Sequence, residues 1–126
     1  MKKITVGWFE IPVNDLGRAI SFYQKVFDCS LQQIDMGEFQ MALFPGEGEG
    51  KGAEGSLVSH KDFYETSNLA GTLIYFSSDD VSIELAKVEE AGGTIQIPKK
   101  MISPENGYMG VFLDSEGNRI ALHSMK

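Results

Sequence analysis

The segment "FEIPVNDLGRAISFYQKVF", residues 9–27, decides how this chain is read. Its first part alternates. Phe9, Ile11 and Val13 share one face of an extended strand, and Trp8, Glu10 and Pro12 share the other. Pro12 has no N–H to give a ladder, so the strand over 4–13 belongs at a sheet edge or near a strand end. The second part turns helical. Asn14 or Asp15 caps it, and Leu16, Ala19, Ile20, Tyr23, Val26 and Phe27 fall on one stripe. The segment is therefore a strand feeding directly into an amphipathic helix.

Outward from it, "SLQQID" and "FQMALF" flank Met36-Gly37-Glu38 and predict a hairpin, and "GSLVSH" predicts a short fourth strand. Between them, residues 45–55, "PGEGEGKGAEG", are rich in glycine and glutamate. They lack the spacing and the Lys-Ser/Thr pair of a phosphate-binding loop, so they are expected to form a surface loop or lid. "KDFYETSNLAG" is a connector. The same plan then repeats. "TLIYFSS" (72–78) is a strand, and "DDVSIELAKVEEAGG" (79–93) is a helix with Val81, Leu85 and Val88 on one stripe and a glycine stop. "TIQIP" is a strand, "MISPENGYMG" mostly loop, "VFLD" a strand, "SEGN" a turn and "RIALHS" the last strand. Overlaying the halves sets Asp15 on Asp80, Ile11 on Phe76 and Trp8 on Leu73. Neither half buries its sheet alone, so the two are expected to pair.

At 126 residues the chain suits one domain with a real core. The expected division is two modules, about 1–60 and 71–126, joined by a linker of about 61–70. A net charge of −7 argues against nucleic acid and anionic membranes as partners. No apolar run spans a bilayer, and "MKKITVGWFE" lacks the apolar core of a signal peptide, so a cytoplasmic location is expected. Cys29 is the only cysteine and lies in apolar "VFDCSL", which reads as a small buried hydrophobe.

The strand, the Asp-Leu helix start and the Ala-x-x-Phe-Tyr of residues 19–23 resemble the opening module of the vicinal oxygen chelate superfamily. That superfamily includes glyoxalase I, extradiol dioxygenases and bleomycin resistance proteins. "VFLDSEGNRIAL" is similar to its closing Asp-Pro-x-Gly-Asn hairpin, with Ser115 in place of the proline. "GTLIYFSSDDVSIELAKVEEAGGTI" matches the opening of the second module. The resemblance implies an α+β fold of two βαβββ modules whose mixed sheets curl into a cup. It also implies a small-molecule ligand, often a divalent metal, and a homodimer.

In metal-using relatives, ligands stand seven residues before each helix-starting Asp and seven after the Asp of the closing hairpin. Those positions are Trp8, Leu73 and Ala121, and none of the three carries a metal donor. The fourth position lies in "GSLVSH", in a register the sequence leaves open. No cofactor is predicted, although a shifted divalent site built from Glu10, His60 and His123 stays open. Strand alternation places Glu10 beside Trp8, Tyr75 beside Leu73 and His123 beside Ala121 on the cup face. Glu10, Tyr75 and His123 are therefore the candidate catalytic groups, with Glu10 able to orient His123. Trp8, Leu73 and Ala121 are the candidate ligand-binding residues. His60, beside the linker, reads as a surface histidine.

The function expected first is a metal-independent small-molecule-binding protein of the glyoxalase/bleomycin-resistance type. The alternatives are a glyoxalase-like lyase or isomerase using Glu10 or His123 as base, and a non-catalytic interaction module with a self-filled cup. If the chain is an enzyme, a glyoxalase-like lyase or isomerase is expected.

Overall fold

The structure is a computed structural model that describes residues 2–48 and 52–126. The expected lid over 45–55 falls partly on residues 49–51, which lie outside the described residues.

The first half forms β1 (Trp8–Pro12), α1 (Leu16–Phe27), β2 (Gln32–Met36), β3 (Phe39–Leu43) and β4 (Glu54–Ser59). The second forms β5 (Tyr75–Ser77), α2 (Val81–Ala91), β6 (Thr94–Ser103), β7 (Gly107–Leu113) and β8 (Arg119–Ser124). The strands make two mixed four-stranded sheets, ordered β1-β4-β3-β2 and β5-β8-β7-β6, and neither closes into a barrel. In each sheet the first strand lies at an edge and pairs parallel with the last strand of its half. Pro12 thus sits on an edge strand, where a missing donor costs nothing.

Asp15 and Asp80, the overlaid pair, both act as N-caps. The Asp15 carboxylate accepts from the Arg18 N–H and that of Asp80 from the Ser82 N–H. Gly92 ends α2 in the left-handed region at φ 110°, which a glycine adopts freely. The apolar stripe of α1 is wider than its periodicity predicts, because Phe22 is buried as well. Phe22 packs against Phe112 of the second half, ring centroids 5.9 Å apart, so α1 serves two partners at once.

Two strands are shorter than expected and one is longer. The ladder takes only Trp8–Pro12 of residues 4–13 and only Tyr75–Ser77 of residues 72–78. The segment expected to be mostly loop after "TIQIP" is instead a long hairpin, β6 running on to Ser103 and β7 starting at Gly107. Pro98 does not stop β6, because β6 is an edge strand and its register slips between Ile97 and Lys100.

One core holds the halves together. It draws Ile11, Ala19, Phe22, Tyr23 and Leu57 from the first half and Val81, Leu85, Phe112, Ile120 and Leu122 from the second. Phe76 of β5 lies among first-half rings, 5.6 Å from Phe9, 5.0 Å from Phe27 and 5.5 Å from Phe44. The helices and one face of each sheet enclose this core. The opposite faces, carrying Trp8 and Glu10 on β1 and Tyr75 on β5, turn away from it.

Candidate functional site

An apolar cleft of about 800 Å³ opens along the seam between the halves. Trp8, Glu10, Leu73 and Tyr75 line it, and the Phe9, Phe27, Phe44 and Phe76 rings that close the core form its floor. Trp8 is 44% exposed and Tyr75 51%, a large aromatic surface for two residues sharing one cleft. Four of the expected site residues are therefore brought together. Cys29 also lines the cleft. Burial, and then the Asp28 carboxylate, push its thiol pKa up, so it remains a protonated, weakly reactive group.

Glu10 is held by two donors. Trp8 Nε1–H donates to Oε2 at 3.2 Å, and the Tyr64 hydroxyl donates to Oε1. The bond to Glu10 is the main reason the Tyr64 hydroxyl pKa is raised. Tyr64 was not legible as a site residue, since it lies in the connector and reaches Glu10 only through the chain's return over the first sheet.

His123 and Ala121 stand elsewhere. Their strand alternates as expected, with Ile120 and Leu122 in the core and Ala121 and His123 on the other face. Ala121 has no exposed surface, so it shapes the floor of that face and offers a ligand nothing to touch. His123 does not line the cleft, and the expected Glu10–His123 pairing is not formed. His123 Nε2 instead lies 2.6 Å from the Asn106 carbonyl oxygen. A carbonyl only accepts, so this nitrogen carries the proton and ties β8 to the β6–β7 turn.

His60 corrects a second expectation: it is buried, not a surface histidine. It directly follows β4, and the next turn folds back over it, with the N–H of Tyr64 donating to the His60 carbonyl. Its ring packs 4.6 Å from Phe39 and 4.8 Å from Phe63, and Nδ1 accepts from the Asp62 N–H.

The closing hairpin does more than turn the chain. Asp114 accepts from the Tyr23 hydroxyl at 2.6 Å and from the N–H groups of Glu116 and Asn118. Glu116 accepts from the N–H groups of Asn14 and Asp15 and forms a two-pronged pair with the Arg18 guanidinium. Asn118 donates to the Pro12 carbonyl and accepts from the Ser67 N–H. Burial raises the Asp114 carboxyl pKa against the pull of these donors. For Glu116, burial also pushes upward, but Arg18, the Asp15 N–H, the Ser115 hydroxyl and the Asn14 N–H outweigh it and hold the carboxyl at about 2. This network fixes β1, and with it Trp8 and Glu10, against the second half. Its signal in the sequence is two acids and an Asn within one short turn, more polar groups than a turn requires.

A divalent metal does not fit the residues present. Trp8, Leu73 and Ala121 bring no donor atoms, and among the described residues no group of three His, Cys, Asp or Glu is placed to hold one ion.

Residues 5–122 match the family model of the Glyoxalase/Bleomycin resistance protein/Dioxygenase superfamily, and the chain belongs to that superfamily. No curated protein matches. Among solved structures, a glyoxalase I mutant from Zea mays aligns with TM-score 0.73 and 21% identity, covering 94% of this chain and 45% of its own. This chain thus spans less than half of that maize protein. TnmS3, an antibiotic binding protein from Streptomyces sp. CB03234, aligns with TM-score 0.70 and 24% identity over 100% of this chain and 99% of its own. Glyoxalase I from Leishmania major aligns with TM-score 0.71 and 16% identity over 98% and 88%. At these identities the likeness concerns the fold. Among the described residues no helix is long and apolar enough to cross a membrane.

Proposed function

We propose that this chain is a metal-independent small-molecule-binding protein, acting in the cytoplasm as a homodimer, whose ligand occupies the cleft between Trp8 and Tyr75. One observation carries this reading: an apolar cleft large enough for a drug-sized molecule, with two exposed aromatic rings and the Glu10 carboxylate at its wall. A planar aromatic ligand with a positive charge suits those three groups. The fold is one that TnmS3, named for antibiotic binding, also uses.

Trp8 is the only tryptophan, so its fluorescence reports on the cleft. A panel of flat aromatic compounds is expected to include ligands that quench Trp8 and raise the melting temperature, as any ligand of the native state must. Leu73→Lys should abolish both responses. Silence across the panel would sink the proposal, and turnover of a methylglyoxal–thiol adduct, lost in Glu10→Gln, would replace it with lyase chemistry.

A second reading, a non-catalytic interaction module, is favoured by one observation. Ser56, Val58, Val111 and Ala121 are buried yet stand outside the shared core, so the chain's own side chains cover part of the sheet faces turned away from that core.

A further inference from the structure

We propose that the seam takes a zwitterionic ligand, one with a carboxylate and an ammonium on a small apolar body, and that Arg119 holds the carboxylate. The inference rests on the small-molecule-binding reading above and adds the chemical class of the ligand.

A second cleft, about 310 Å³, adjoins the first: Glu10, Thr72 and Ile74 border both. Arg119 borders this cleft, half-buried on the Ala121 face of β8. Its backbone N–H donates to the Ser67 carbonyl at 3.3 Å, which fixes its base. Its guanidinium has no ion-pair partner among the described residues, where the pairs formed use Arg18, Lys25 and Lys99. An unpaired guanidinium in a cleft presents a two-pronged fork shaped for a carboxylate.

Charge balance narrows the class. Glu10 and Glu65 border the same cleft, so it holds two carboxylates and one cation. An anion alone would meet more repulsion than attraction, and a doubly charged phosphate still more. A cation alone would leave Arg119 unpaired. A molecule bearing both signs answers each: its carboxylate meets Arg119 and its ammonium meets Glu10 or Glu65. Glu10 keeps acceptor capacity for this, because Trp8 and Tyr64 each use one site on separate oxygens. Past Glu10 the ligand body enters the apolar cleft beside Leu73 and Tyr75. Small α-amino acids with an aromatic side chain have this layout.

The test keeps the body constant and varies the head. L-phenylalanine, phenethylamine, 3-phenylpropionate and 2-phenylethanol are titrated into the intact protein by calorimetry and Trp8 fluorescence. Phenylalanine is expected to bind at least about tenfold more tightly than the other three, from its extra charge-assisted contacts. Arg119→Gln should bring it down to the amine, and Glu65→Gln should weaken it while tightening the acid, whose repulsion it relieves. If Arg119→Gln fails to fold by circular dichroism, Arg119→Lys replaces it and should give an intermediate loss. Equal binding of the amine or the alcohol, or phenylalanine binding indifferent to the Arg119 variants, overturns the head-group assignment while leaving a binding cleft. No response from any of the four also overturns it, and the flat-aromatic panel then decides separately whether the cleft binds anything.

Discussion

Glu116 lies in a turn of the second half, yet its carboxylate binds the start of α1 in the first. Five bonds to one carboxylate explain why its pKa sits at about 2, below the ordinary 4.5. The sign of the consequence follows. A depressed carboxyl stabilises the fold above its unfolded pKa, and that contribution is lost as pH falls from about 4.5 toward 2. Asp114, with a raised pKa, acts in the opposite sense, contributing at low pH and losing its contribution as pH rises through its folded value. Glu116→Gln should therefore cost about 2 to 3 kcal/mol at pH 7 and much less near pH 2. Urea unfolding of both proteins at the two pH values checks this. An equal gap at both would mean the charge on Glu116 contributes nothing to stability.

The parallel pairing of β1 with β4 sets where Trp8 and Glu10 stand. Gly55 makes that pairing tight: a Cβ there would lie 2.5 Å from the Phe9 ring and 2.5 Å from its carbonyl oxygen. Gly55→Ala must push β1 outward, and overpacking of this kind costs about 1 to 3 kcal/mol. Gly7→Ala, one residue before β1 with nothing within 4 Å of its new methyl, is the control and should be near neutral. Denaturation midpoints separate the two. The Gly55 variant should also lose Trp8 quenching by any cleft ligand, because β1 forms one wall of the cleft.

At the scale of the whole molecule, the two halves share one core. Phe76 completes an aromatic cluster whose other rings belong to the first half, and Phe112 packs on Phe22 across the same divide. Phe76→Ala should cost about 3 kcal/mol, the low end for loss of a core aromatic ring. It should still unfold in one transition, with far-ultraviolet circular dichroism and Trp8 fluorescence changing together. Two separated transitions would show that the halves fold independently and that the shared core matters little.

Strand and helix periodicity, the two Asp caps and the glycine stop of α2 were all readable, because each depends on neighbours a few residues away. So was the α+β plan of repeated halves. That Trp8, Leu73 and Ala121 carry no metal-donor atoms in their side chains is a matter of residue identity alone. What joins distant segments was not readable. The reach of Tyr64 to Glu10, the burial of His60, the pairing of His123 with the Asn106 carbonyl and the continuation of β6 past Pro98 depend on which surfaces meet across the fold. Alternation along a strand assigns a side chain to a face. Only packing in three dimensions decides whether that face opens into a cleft, as at Tyr75, or closes over, as at Ala121.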